Sequence, residues 1–179
     1  NLATSIPKKT KPGKKDWQAN DRIRTEGTQN LIEAALYHKC KLYLQQSITF
    51  LYAHKRGKWS TESSSLENNP LPFLKSALQM ESFILDGIRE NHLPGIILRL
   101  GGLYSPADFQ TDMLLKMIKN NKFKNIGKGE QYISIIHVED AANAFVKTVE
   151  HHERNFGKIF NIVDDEPVRA NQLANFLAE

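Results

Sequence analysis

The sequence predicts an α/β fold in which helices pack on a largely parallel sheet. Short β-like runs alternate with amphipathic helical stretches along the chain, the order that builds parallel sheets. GIILRL, residues 95–100, is apolar on both faces but for one arginine, as strands covered on both sides are. A length of 179 residues, 40% of them hydrophobic, suffices for one buried core.

The elements follow in order. PKKTKPGKKDW carries Lys8, Lys9, Lys11, Lys14 and Lys15 in a stretch that contains proline and glycine and reads as a solvated loop. It lacks the regular aromatic interleaving of a nucleic-acid surface, so no nucleic-acid partner is expected despite the net charge of +4. A helix is predicted from Asn20 to His38, with Ile23, Leu31, Ala34, Ala35 and Leu36 on one face. LYLQQS from Leu42 reads as a buried strand that ITFLY continues, and a polar loop follows through Ser65. A second helix starts at Pro72, keeps Phe73, Ala77, Leu78, Ile84 and Ile88 at helical spacing, and stops at Asn91 and Pro94. After the GIILRL strand come a helix over 112–120, a strand in YISIIHV, a helix from Glu139 to Glu150, a strand in KIFNIV and a terminal helix from Asn171.

Composition narrows the function classes. The single cysteine, Cys40, excludes an intramolecular disulfide and a CxxC metal knuckle and favours a reducing, cytoplasmic setting. The longest apolar runs fall far below the ~20 residues a helix needs to cross a bilayer, so no membrane span is expected. His137, Glu139 and Asp140 in IHVED could suggest a metal, but carboxylates favoured by a helix start explain the latter two and no metal is assigned. Ser63, Ser64 and Ser65 have no base placed near them by any motif.

NLATSIP, NDRIRTEGTQNLIEAA and LYLQQSITFLYA, followed by LRLGGLYSP, SIIHVEDAANAFVKTVE and KIFNIVDDEPV, resemble in order and spacing the extended short-chain dehydrogenase/reductases, the NAD-dependent epimerase/dehydratase group. Ser105 stands where that family's YGP-type turn has glycine. The resemblance implies a Rossmann-like, doubly wound, mostly parallel sheet with a small C-terminal substrate lobe, residues 1–105 forming the Rossmann part and 106–179 mainly the lobe. It also implies NAD or NADP as cofactor, a small-molecule substrate such as a nucleotide sugar, and a homodimer paired through the helices over 20–38 and 72–91. None of the ten glycines forms the GxGxxG or GxxGxxG turn on which a pyrophosphate rests, so the chain is expected to correspond to the C-terminal two-thirds of such a domain. The cofactor contacts carried over are Leu2, Ala3 and Thr4 after one strand, Gln46 and Ser47 after the next, and Leu100, Gly101, Gly102 and Leu103 after the third.

The family's chemistry uses a tyrosine acid/base, a lysine four residues on that lowers its pKa, and a strand hydroxyl that orients substrate. Spacing of four puts tyrosine and lysine on one helix face, where the ammonium stabilises phenolate. Counting back from Ser76 and Glu81, the lysine position falls on Ala77 and the tyrosine position on Phe73; counting back four from Tyr52, the hydroxyl position falls on Ile48, flanked by Ser47 and Thr49. Arg24 stands where an asparagine often completes the set. The catalytic residues are therefore left unassigned, with a degenerate pair at Phe73 and Ala77. Lys75 lies about 200° around the helix from position 77. YHKCK, from Tyr37 to Lys41, matches YxxxK only by letter. Tyr52 with Arg24 is the remaining alternative for an acid and a cation, and a cofactor-sensing or scaffold protein of the same fold is the alternative to an enzyme.

Overall fold

A computed structural model describes residues 1–9, 11–54, 57–106, 108–120, 122–123 and 127–177. The order is α1 (Gln18–Arg22), a π-helical turn (Ile23–Gly27), α2 (Thr28–Tyr37), β1 (Tyr43–Ile48), α3 (Lys75–Asn91), β2 (Gly95–Leu100), β3 (Gly102–Tyr104), α4 (Phe109–Lys119), β4 (Tyr132–Ile133), β5 (Ile135–His137), α5 (Val138–Glu150), β6 (Ile159–Ile162), β7 (Val168–Arg169) and α6 (Ala170–Phe176). The α/β class holds, and the predicted elements occur in the predicted order. The chain divides into two units, Asn1–Arg99 with Phe145–Asn161, and Leu100–Ala144 with Ile162–Glu179.

The first unit is built on the sheet β1-β2-β6 with β2 in the middle. All six residues of β2 are buried, as its near-continuous apolar run predicts. Helix α3 turns Ala77, Met80, Ile84 and Gly87 inward at the 3-and-4 spacing of a helix face. Met80 and Ile84 join Ile32, Ala35, Tyr43, Leu93 and Ile97 in the main core. A Cβ at Gly87 would lie 3.3 Å from Leu93 and 3.5 Å from Ile32, so glycine lets α2 approach α3. The helix ends where His92 takes a left-handed conformation, φ 54°, ahead of Pro94. Burial pushes the Tyr43 phenol up to about 12, and its hydroxyl donates to Gln45 Oε1 at 3.1 Å.

Three boundaries differ from the sequence prediction. The strand ends at Ile48, and Thr49–Leu51 close into a 3₁₀ turn instead of continuing it, which buries Leu51. The first helix is interrupted by the π-helical turn, where the Thr25 hydroxyl donates back to the Asp21 carbonyl at 2.9 Å. YISIIHV splits at Ser134 into two strands with different partners.

In the second unit β3 runs parallel to β5, with Gly102 opposite Ile135, Leu103 opposite Ile136 and Tyr104 opposite His137. Gly101 enters this pair so closely that a Cβ would meet the Ser134 backbone carbon and oxygen at 2.9 Å. Strand β4 pairs antiparallel with β7. The Asp108 carboxylate caps α4 by accepting from the Thr111 amide at 2.9 Å. Among the described residues no helix is long and apolar enough to cross a membrane.

Candidate functional site

Ile48, Phe73 and Ala77 meet in one apolar cluster. Leu51, Leu74 and Ala77 are its buried members, with Ile48, Leu66, Phe73 and Leu78 packed around them. Ala77 is 1% exposed. Phe73 lies at the 3₁₀ lead-in to α3, Pro72–Leu74, and its ring stacks on Trp17 at 5.2 Å between centroids and 20° between planes. The three positions singled out by counting along the chain are thus neighbours in space, and none carries a titratable group.

Beneath this cluster lies a buried polar network of which sequence reasoning named only single members. Glu81, one turn beyond Ala77 on α3, is 1% exposed, and Arg99 on β2 is 2% exposed. The Arg99 guanidinium grips the carboxylate with two hydrogen bonds, Nε to Oε1 at 3.0 Å and Nη2 to Oε2 at 2.6 Å. Its Nη1 donates to the Tyr52 hydroxyl at 2.8 Å, which in turn donates to Asn161 Oδ1 on β6 at 2.6 Å. The Ser47 hydroxyl donates to Glu81 Oε1 at 2.5 Å. Burial alone would push the Arg99 guanidinium down, but its hydrogen-bonded Glu81 partner outweighs that and holds it above its ordinary value. An arginine inside an apolar strand was the available signal, since a buried cation requires a carboxylate.

Tyr52 and Arg24, the alternative acid and cation, are not bonded to each other among the described residues. Tyr52 is engaged by Arg99 and Asn161, whereas Arg24 donates from Nη1 to the Phe73 carbonyl at 3.2 Å. Lys75 is exposed at the first position of α3, opposite in accessibility to the buried Ala77. In YHKCK the Tyr37 ring is 83% exposed at the end of α2, edge-on to His38. Among the described residues no group of three or more histidine, cysteine, aspartate or glutamate side chains is gathered as for a metal ion.

The candidate cofactor residues divide into engaged and accessible ones. Ser47 is committed to Glu81, Leu100 is 3% exposed, the Gly101 amide donates to the Ile162 carbonyl at 2.9 Å, and the Gly102 amide donates to the Ser134 carbonyl at 2.8 Å. Leu2, Ala3, Thr4 and Leu103 are exposed and Gln46 is half-buried. The Thr4 hydroxyl and the Ser5 amide both donate to Oδ1 of the buried Asn20, at 2.8 and 3.0 Å, which fixes the segment after Ala3 against α1. Leu2 also borders an apolar groove of about 380 Å³ with Leu44, Phe145, Val146 and Val149.

Residues 12–163 match the NAD dependent epimerase/dehydratase family. A 3-diazoavenalumate denitrifying reductase from Streptomyces sp is 30% identical over 155 residues, 84% of this chain and 50% of that protein. UDP-glucuronic acid 4-epimerase from Bacillus cereus in complex with NAD superposes with a TM-score of 0.80 at 24% identity, over 98% of this chain and 56% of that one. A dTDP-glucose 4,6-dehydratase from Streptomyces venezuelae, with NAD bound, superposes with a TM-score of 0.74 at 19% identity, over 90% of this chain and 50% of that one. The chain spans about half the length of these relatives. The match covers most of the chain and runs through the helix, strand and turn segments that carry the site, so the chain belongs to the NAD dependent epimerase/dehydratase family.

Proposed function

We propose that this chain is part of an NAD(P)-binding protein that handles a nucleotide sugar or a related hydroxyl or carbonyl compound with a degenerate tyrosine–lysine pair. The carrying observation is the apolar cluster of Ile48, Phe73 and Ala77, which occupies the three positions where the family's acid, its cation and its orienting hydroxyl are expected. A nicotinamide, when bound, supplies or accepts hydride. The residues at 48, 73 and 77 pack together as an apolar cluster and hold no proton to move. In the first unit Leu2, Ala3, Thr4 and Gln46 are the accessible cofactor candidates, suited chiefly to packing contacts because the Ala3 and Gln46 amides already donate to Asn1; Leu103 is an accessible candidate in the second. Ser47, Leu100, Gly101 and Gly102 serve the fold's own hydrogen bonds and packing. The division into a Rossmann part over 1–105 and a substrate lobe over 106–179 belongs to this proposal, as does a cytoplasmic setting. The compounds named for the relatives, UDP-glucuronic acid and 3-diazoavenalumate, support an anionic substrate.

The same filled site favours a second function, a cofactor-sensing or scaffold protein in which dinucleotide binding sets a partner interaction. The two share a test. The whole protein should bind NAD or NADP in calorimetry, whereas residues 1–179 alone should bind weakly or not at all, because the glycine turn that holds pyrophosphate is not among them. Equal, tight binding by both would remove the basis of the proposal.

A homodimer through the helices over 20–38 and 72–91 is part of the same proposal. Phe83, Leu85 and Ile88 already pack in part against the subunit's own core, while Leu31 and Tyr37 remain exposed at 43% and 83%. Sedimentation at micromolar concentration should show a dimer that Leu31→Glu weakens; a monomer at every concentration rules the pairing out.

A further inference from the structure

Among the described residues of the first unit two arginines are withdrawn from solvent, and they are treated very differently. Arg99 is matched by a carboxylate and by three hydrogen bonds in all. Arg24 is half-buried, and of its five N–H donors the one hydrogen bond seen goes to the neutral Phe73 carbonyl. Among the described residues it joins no ion pair. The Asp21 charge nearby favours the cation, although among the described residues no hydrogen bond joins the two and Asp21 Oδ1 accepts from the Ser76 hydroxyl at 2.7 Å. Burial pushes the Arg24 guanidinium below its ordinary value, against that charge. A partly desolvated guanidinium with most of its N–H donors unbonded among the described residues has donors to offer an arriving oxyanion.

The surroundings say what kind of anion. Arg24 is presented by the π-helical turn Ile23–Gly27, an element that recurs at functional sites. The carbonyl it touches belongs to Phe73, whose ring forms a flat stack with Trp17. Lys8 and Lys11 precede Trp17 in the chain, Lys14 and Lys15 open the 3₁₀ turn Lys14–Trp17, and all four are exposed, while Lys9 is paired with Asp16. A guanidinium presents donors in a fork that fits carboxylate or phosphate oxygens.

We propose that Arg24 anchors an oxyanion-binding site that takes the carboxylate or phosphate of a substrate whose flat apolar body lies along the Phe73–Trp17 stack. This deepens the function proposed above by naming the substrate class, yet it is read with no dinucleotide present, so failure of cofactor binding and failure of anion binding are separate results. The intact protein is titrated with cinnamate, phenyl phosphate and the neutral cinnamamide, followed by calorimetry and by the unfolding temperature. At least one of the two anions should bind at least ten times more tightly than the amide, and which one does so identifies the oxyanion. Arg24→Gln should abolish that preference without lowering the unfolding temperature of the unliganded protein, while Arg24→Lys, which keeps the charge but not the fork, should retain part of it. Equal binding of anion and amide by the unmodified protein overturns the proposal without any variant. So does an anion preference that survives Arg24→Gln while the unliganded protein loses stability, since Arg24 would then serve only to hold the Phe73 carbonyl.

Discussion

Arg99→Met should destabilise the protein by about 3–5 kcal/mol, the cost of leaving one member of a buried ion pair without its partner. Glu81 would remain 1% exposed, with only the Ser47 hydroxyl to satisfy its carboxylate. The Tyr52 hydroxyl would lose its donor as well, and with it one of the two bonds that join β2 to β6 through Asn161. Glu81→Met should cost a similar amount for the mirror reason. The double change Glu81→Met with Arg99→Met should recover most of the loss, because two well-packed apolar side chains avoid the desolvation of two charges. Urea unfolding of the two single variants and the double variant measures this directly. A double variant as unstable as the sum of the singles would mean that the pair stabilises the fold outright, and that the wider network through Ser47 and Tyr52 depends on it.

This network marks the limit of what the sequence makes legible. Helix and strand order follow from local periodicity, which is why α3 with its inward Ala77 and Ile84, and β2 with its continuous burial, are found where the pattern puts them, while Met80 joins the inward face without having been named by it. The grouping of Ile48, Phe73 and Ala77 is also legible, through fixed spacings from Tyr52 and Glu81, and the structure brings those side chains into one cluster. A partner is another matter. Arg99 in GIILRL declares that a buried cation needs a carboxylate, but Glu81 lies 18 residues away on another element and only packing identifies it. The π-helical turn at IRTEG is equally silent in the sequence, since Ile23 is its one large apolar residue and a single position shows no shift of the apolar face. For the candidate cofactor residues the pattern names positions, while the hydrogen bonds decide which are spoken for: Ser47 by Glu81, Gly102 by Ser134.

Phe73→Tyr combined with Ala77→Lys, made in the whole protein, should raise turnover of the proposed nucleotide-sugar substrates by about 10²- to 10⁴-fold, the usual contribution of a positioned acid/base. The unmodified protein should show very slow turnover or none, because the apolar cluster has no group that gives or takes a proton where the pair is expected. Tyrosine at 73 keeps the ring that stacks on Trp17 and adds only the hydroxyl. Alone it should achieve little, since a phenol titrating near pH ~10 is a poor base at neutral pH without a neighbouring cation. Lysine alone has nothing to activate, so the two changes should be strongly non-additive. The gain comes with a loss of stability: Ala77 is 1% exposed between Leu51 and Leu74, and a lysine stem there must displace packed side chains while its ammonium gives up water. Adding Ile48→Ser should restore the orienting hydroxyl and give the ammonium a polar neighbour, raising activity further. Rates are to be compared at a temperature where all variants are folded. Brisk turnover by the unmodified protein would show that the acid lies elsewhere. Loss of that turnover in Tyr52→Phe would then move the proton to the hydroxyl held between Arg99 and Asn161.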